Sequence, residues 1–172
     1  MATETFRGEH YPKLDAKGRT MLPSSFRSVF QFVDTPPDGA GFQLLLVYGG
    51  RDREFVEGFT EAGAADLARR LKQLTFGSRE HMLAKAIFVE QSIEVETDKD
   101  GRFSPPLQVR EKLGLPKEEV ELAFIGSGES FQIWRADVYK AKRKARLDAL
   151  EAELLGTGPA AADPLALLMG TT

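Results

Sequence analysis

The pentapeptide Asp15-Ala16-Lys17-Gly18-Arg19 returns as Asp98-Lys99-Asp100-Gly101-Arg102, and this return constrains the fold more than any other feature of the 172 residues. The offset is constant at 83 residues (98 − 15). Pro23 and Arg27 answer Pro106 and Arg110 at the same distance, so the shared frame is D-x-x-G-R-x-x-x-P-x-x-x-R. A frame that recurs at a fixed offset marks a duplicated structural unit. Two related halves are therefore expected.

Each fixed position has a physical reason. Asp at the first corner and Gly at the fourth suit a type I turn, because the carboxylate accepts backbone N–H groups two residues on and Gly tolerates positive φ. A hairpin with a bulge at Gly is expected to follow. The Arg after Gly stands where the second strand leaves the turn, with its guanidinium at the exposed end. Pro23 or Pro106 then ends the strand and opens a helical turn, since Pro lacks the donor a strand needs but suits a first helical position.

Composition bounds what such a chain does. At 42% hydrophobic residues it can bury a core as one domain or two small ones. Cysteine is absent, which excludes a disulfide framework and thiolate metal sites and fits a reducing cytoplasm. The N-terminus has no apolar core of signal-peptide length, and no apolar run approaches the roughly 18 residues of a membrane span, so a soluble, unprocessed protein without membrane association is expected. The net charge of −3 differs from that of strongly basic nucleic-acid binders. Its distribution is uneven. Arg7, Lys13, Lys17 and Arg19 crowd the first frame, while Glu90, Glu94, Glu96, Asp98 and Asp100 make the second acidic.

Along the chain, residues 6–21 read as a hairpin made irregular by Pro12. Pro23 to Phe30 reads as a short helix and Phe42 to Tyr48 as a buried strand, with a returning strand from Glu54 to Phe59. Thr60 and Ser78 stand as N-caps of helices over 61–74 and up to Ala86. Val89, Ile93 and Val95 alternate with polar residues as a half-buried strand opening the second half. A helix up to Leu113, closed by Gly114, precedes a hairpin around Gly126–Glu129 and a helix from Ala136 to about Leu155. The resulting division is a first unit over 6–76, a connecting helix over 77–86, a second unit over 87–155 and a mobile tail over 156–172. The tail carries Leu165, Leu167, Leu168 and Met169, which can dock on a neighbour.

The frame resembles the swapped-hairpin DNA-binding motif of the AbrB and MazE superfamily. Two copies in one chain, the first opening with Phe6-Arg7-Gly8 ahead of Leu14-Asp15-Ala16-Lys17-Gly18-Arg19, resemble the MraZ family of regulators of the bacterial division and cell-wall gene cluster. The resemblance covers roughly residues 6 to 150. It implies an α+β, β-rich fold, with two tandem AbrB-like units forming a double-split β-barrel with peripheral helices. It also implies a ring-shaped homo-oligomer that represses transcription by binding short direct repeats upstream of its own operon, in the cytoplasm and associated with the nucleoid. Asp15 and Arg19 fall on the first family motif, Asp98 and Arg102 on the second. Pro105 departs from the superfamily, where an apolar strand residue is usual.

The residues themselves favour DNA over catalysis. A guanidinium at an exposed hairpin end bonds bidentately to guanine O6 and N7 in a major groove, and a nearby Lys meets phosphate as a point charge. The expected DNA-binding set is Arg19, Lys17, Arg102, Arg7 and Lys13, with Asp15, Gly18, Asp98 and Gly101 orienting the motifs. The basic run Arg135, Lys140, Lys142, Arg143, Lys144 and Arg146 is what a solvated helix face gives. His10 and His81 lack metal-ligand spacing, and no cofactor or metal is expected. Two alternatives stand beside DNA binding. One is a hydrolase pairing Asp15 with Asp98, which requires the carboxylates within about 3 Å in a cleft. The other is a protein-interaction module using the same surface.

Overall fold

The computed structural model describes residues 4–158 and 162–169. Its strands run in the order β1 (Glu9–His10), β2 (Lys13–Leu14), β3 (Thr20–Met21), β4 (Gln43–Val47), β5 (Val56–Phe59), β6 (Ser92–Glu96), β7 (Arg102–Phe103), β8 (Val120–Gly126) and β9 (Phe131–Arg135). Helices α1 (Ser24–Asp34), α2 (Glu61–Gln73), α3 (Arg79–Lys85) and α4 (Leu107–Leu113) lie between them. Contacts divide the chain into Met1–Ala136 and Asp137–Thr172. At the division stands α5 (Ala136–Val138). The second part holds a π-helical turn (Tyr139–Arg143), α6 (Lys144–Leu155) and a 3-10 turn (Pro164–Met169).

The fold is α+β with antiparallel sheets. The main sheet runs β1-β8-β9-β5-β4-β6, with β2 also on β8, and its path does not close into a barrel among the described residues. That order reads the same from either end once the halves are exchanged. β1 and β2 of the first half lie on β8 of the second, β6 of the second lies on β4 of the first, and the halves meet where Val56 faces Ile133 and Gly58 faces Phe131. The segments 6–76 and 87–155 thus contribute strands to each other. A second, two-stranded sheet is made of β3 and β7 alone.

Two local expectations are corrected. Residues 6–21 do not form a hairpin ladder: β2 leaves for β8 and β3 leaves for β7, because the strand after the turn finds its partner in the other half. Pro12 interrupts the N-terminal strand as its missing donor requires, yet its carbonyl still accepts from the Leu122 N–H at 2.9 Å. Val89 falls outside the expected strand, in a π-helical turn over Ala86–Glu90 that delivers the chain to β6. Of the expected tail over 156–172, residues 159–161 and 170–172 lie outside the described set; Leu165, Leu167, Leu168 and Met169 are exposed.

Helix boundaries follow from capping. The Thr60 hydroxyl accepts from the Gly63 N–H, and Asp34 at the end of α1 accepts from the N–H groups of Glu61 and Ala62, so one helix terminus completes the other. Ser78 accepts from the His81 N–H in the same way. Gly114 ends α4 at φ 62°.

The core is aromatic. Phe6, Phe26 and Phe131 meet at centroid distances of 5.0–5.2 Å, and Phe124 stacks on Phe131 at 6.0 Å. Gly58 is the floor of this cluster, since a Cβ there would stand 2.2 Å from the Phe131 ring. Gly58→Ala is therefore expected to cost about 1–3 kcal/mol by overpacking. Denaturant unfolding checks it, and an unchanged midpoint would contradict the close approach.

Candidate nucleic-acid interface

The two D-x-x-G-R segments fold into the same loop. In the first, the Asp15 N–H donates to the Arg19 carbonyl at 2.8 Å and the Gly18 N–H to the Asp15 carbonyl at 2.9 Å; in the second, Asp98 N–H to Arg102 carbonyl and Gly101 N–H to Asp98 carbonyl measure 2.9 and 3.0 Å. Asp15 Oδ1 accepts from the N–H groups of Lys17 and Arg19, both at 2.9 Å. Asp98 Oδ1 accepts from Asp100 and Arg102 at 2.9 and 2.8 Å. Gly18 and Gly101 take φ of 78° and 87°, which the tight return demands and L side chains resist.

These hydrogen bonds set the acidity of both carboxyls. The Arg19 backbone N–H, with smaller help from that of Lys17 and the Arg19 charge, holds Asp15 below the ordinary 3.8 against a partial opposing desolvation. Asp98 is lowered likewise, first by the Arg102 backbone N–H. A hydrolytic dyad requires one carboxyl pushed upward by its neighbour. Both are lowered here and each serves its own loop, so the Asp15–Asp98 hydrolase reading has no site.

The arginines are joined by a ribbon that the linear sequence does not display. β3 and β7 pair with Thr20 opposite Phe103 and Met21 opposite Arg102. Thr20 and Phe103 are themselves counterparts at the 83-residue offset, so the axis relating the halves passes between them. Both are buried, which turns the alternate residues Arg19 and Arg102 to the other, exposed face. One further step of the register sets Arg19 opposite Ser104 and makes it a diagonal neighbour of Arg102, about 7–8 Å away across the ribbon. The carboxylate contacts are loose: Arg19 Nε is 3.6 Å from Asp15 Oδ2 and Arg102 Nη1 is 3.9 Å from Asp98 Oδ2, with all four side chains partly exposed. Arg19 meets its Asp through Nε, leaving the Nη1–Nη2 edge to other partners.

The remaining basic residues divide. Lys17 is exposed in the first loop, and Lys13 lies at its root in an exposed ion pair with Glu119 at 3.2 Å. Arg7 does not join them. Its neighbours Phe6 and Gly8 bond to Gly128 and Gly126, at the opposite end of β8 from Val120 and the Asp15 loop, roughly 20 Å away at a strand's rise per residue. Arg135 is turned to the Gly114 carbonyl at 2.8 Å.

Two residues of the frame had no expected role. Arg27, in the first half, donates from Nη1 to the Asp100 carbonyl of the second loop at 2.6 Å. Arg110, in the second half, lies over the first loop, with Nη1 2.8 Å from where a Gly18 Cβ would be. Their place in the duplicated frame was the available signal. Pro105 also acquires a consequence. The Leu22 N–H donates to the Gly101 carbonyl at 2.9 Å, and Leu22's counterpart at the 83-residue offset is Pro105, which has no N–H to offer Gly18.

The ribbon presents paired, carboxylate-braced arginines on one exposed face, and the chain's relatives are transcriptional regulators. No family model matches the chain. It is 37% identical to "Transcriptional regulator MraZ" of Cereibacter sphaeroides (strain KD131 / KCTC 12085) over 172 residues, covering 98% of each chain. A protein of the same name from Ruegeria sp. (strain TM1040) is 35% identical, covering 96% of this chain and 95% of the relative. One from Parvibaculum lavamentivorans (strain DS-1 / DSM 13023 / NCIMB 13966) is 32% identical over 80% of each. The chain belongs to the MraZ family of transcriptional regulators, a class without enzymatic activity.

The lowered carboxyls carry a pH signature. A depressed folded value means that the stabilisation from Asp15 and Asp98 is fully present above their unfolded value near 3.8 and is lost as pH falls through the lower folded values. Carboxyl titration by NMR is expected to place both midpoints below those of exposed aspartates, and Asp15→Ala to speed amide exchange at Lys17 and Arg19.

Proposed function

We propose that the chain is a sequence-specific DNA-binding repressor of the division and cell-wall gene cluster, acting in the cytoplasm at the nucleoid. The observation that carries this reading is the placement of Arg19 and Arg102 on one exposed face of the β3–β7 ribbon. A two-stranded ribbon fits a major groove, and each arginine is suited to a bidentate contact with guanine O6 and N7. Lys17 and Lys13 take flanking phosphates, Asp15 and Asp98 hold the loops, and Gly18 and Gly101 permit their turns. Arg7, at the other end of β8, is left outside this footprint. The exchange of strands between the halves and the separate β3–β7 sheet support a double-split barrel of the AbrB type.

Binding in this reading requires a ring-shaped homo-oligomer on direct repeats in the upstream region of its own operon. With a net charge of −3, one subunit's few phosphate contacts make a weak complex at physiological salt. Linked subunits multiply these contacts through effective concentration when the repeats match their spacing. Support for assembly comes from the connector between the halves. α2, α3 and the following π-helical turn contain no buried residue, and Phe76, 91% exposed, lines an apolar groove there with Leu71, Leu74 and Val89. An apolar face of this kind marks an interaction surface.

Arg19→Ala is expected to lose about 1–3 kcal/mol per contacted repeat while the fold and assembly persist, measured by gel shift on DNA from directly upstream of the gene. Unchanged affinity would remove Arg19 from base readout, and no shift by the parent protein would favour a protein-interaction module. Phe76→Glu is expected to lower the mass measured by light scattering and, with it, affinity for a repeat array. Array binding that survives in a monomeric species would refute the avidity argument.

A further inference from the structure

We infer that Arg27 and Arg110 are crossed positioning residues, each setting the conformation of the reading loop that belongs to the other half of the chain. The proposal rests on the DNA reading above only where it concerns affinity. Arg27 leaves the second turn of the first half with its backbone N–H on the Pro23 carbonyl at 3.0 Å, and Arg110 repeats this on Pro106 at 3.0 Å. From those equivalent anchors the side chains travel in opposite directions across the pseudo-twofold axis. Arg27 spans a sequence separation of 73 residues to bond the Asp100 carbonyl, and its Cδ lies 2.7 Å from where a Gly101 Cβ would stand. Arg110 covers Gly18 reciprocally, with Nη1 at 2.8 Å from the corresponding point.

The glycines therefore have a second reason to be glycine. Positive φ alone asks for a residue that tolerates the left-handed region, which Asn also visits. The crossing arginine packs on the same Cα, through its stem at Gly101 and its guanidinium at Gly18, so any side chain there would have to displace it. The positive charge suits the second loop as well: Asp98 consumes N–H groups from within, and the Asp100 carbonyl takes its donor from Arg27.

The two clamps carry unequal shares. The second loop has, besides Arg27, the Leu22 N–H on the Gly101 carbonyl. Pro105 denies the first loop the equivalent backbone bond, and Arg110 meets the Asp15–Arg19 loop by packing over Gly18, so the first loop is held from outside by packing where the second is held by two hydrogen bonds. The loop with the basic side chains is thus covered by an arginine of the acidic half.

The test is hydrogen exchange of the full-length assembled protein, read by mass spectrometry at the two loops, with Arg27→Met and Arg110→Met. Met keeps an unbranched stem and removes the donors. Arg27→Met is expected to speed exchange of the Asp100 and Arg102 amides about tenfold and leave Lys17 and Arg19 unchanged, as loss of a charge-assisted hydrogen bond predicts. Arg110→Met is expected to act on Lys17 and Arg19 alone, with the smaller effect because packing and no hydrogen bond is removed, and Arg27→Lys to restore part of the protection. Acceleration confined to a residue's own half, or equal in both loops, overturns the proposal, since a merely structural arginine gives one of those patterns. On DNA, Arg110→Met is expected to weaken operator binding in the same direction as Asp15→Ala and by less, since Asp15 makes two hydrogen bonds within the loop. Crossed exchange effects without any change in affinity retain the clamps and count against the DNA reading of the loops.

Discussion

The sheet can be completed only by strands exchanged between the halves. If β8 were separated from β1 and β2, or β4 from β6, rows of backbone N–H and C=O groups along the sheet would be left to water or to a wrong partner. That requirement fixes much else. It brings β3 against β7 and buries Thr20 and Phe103 at the centre of the ribbon. It also gathers Phe6 from the N-terminus with Phe124 and Phe131 from the second half into one aromatic core. The core residues and the loop residues are held by the same exchange, so the β3–β7 ribbon is tied to the core of Met1–Ala136 and is more than a surface turn.

On this foundation the loops are built from inside by aspartate and from outside by arginine. The carboxylates of Asp15 and Asp98 supply acceptors that a four-residue turn lacks, and their lowered pKa reflects how fully those acceptors are used. Each guanidinium at the loop's end stays close enough to its carboxylate to be aimed by it and far enough to be available. Ordering these side chains before a partner arrives removes an entropic cost from association.

The sequence made the turns, caps and helices legible because their causes are local. Asp-x-x-Gly specifies its turn, Thr60 and Ser78 their caps, and Gly114 its helix end, each within a few residues. The duplicated frame likewise displayed Arg19 and Arg102 as equivalent. What it could not display is that they are neighbours, since a register between β3 and β7 is a relation across more than eighty residues that no local pattern encodes. The same limit hid the swap of β1 and β2 onto β8 and made residues 6–21 read as a self-contained hairpin. Arg7 was grouped with Lys13 by proximity in sequence, and an extended strand is what carried it to the far end of β8.

The axis between Thr20 and Phe103 relates backbone to backbone, but it does not relate charge to charge. At the 83-residue offset Lys13 is answered by Glu96 and Lys17 by Asp100, so the two ends of an otherwise symmetric ribbon have opposite sign. A ribbon with identical ends would sit on a duplex equally well in either of two orientations related by half a turn. Sign inversion removes that degeneracy and gives the ribbon a head and a tail.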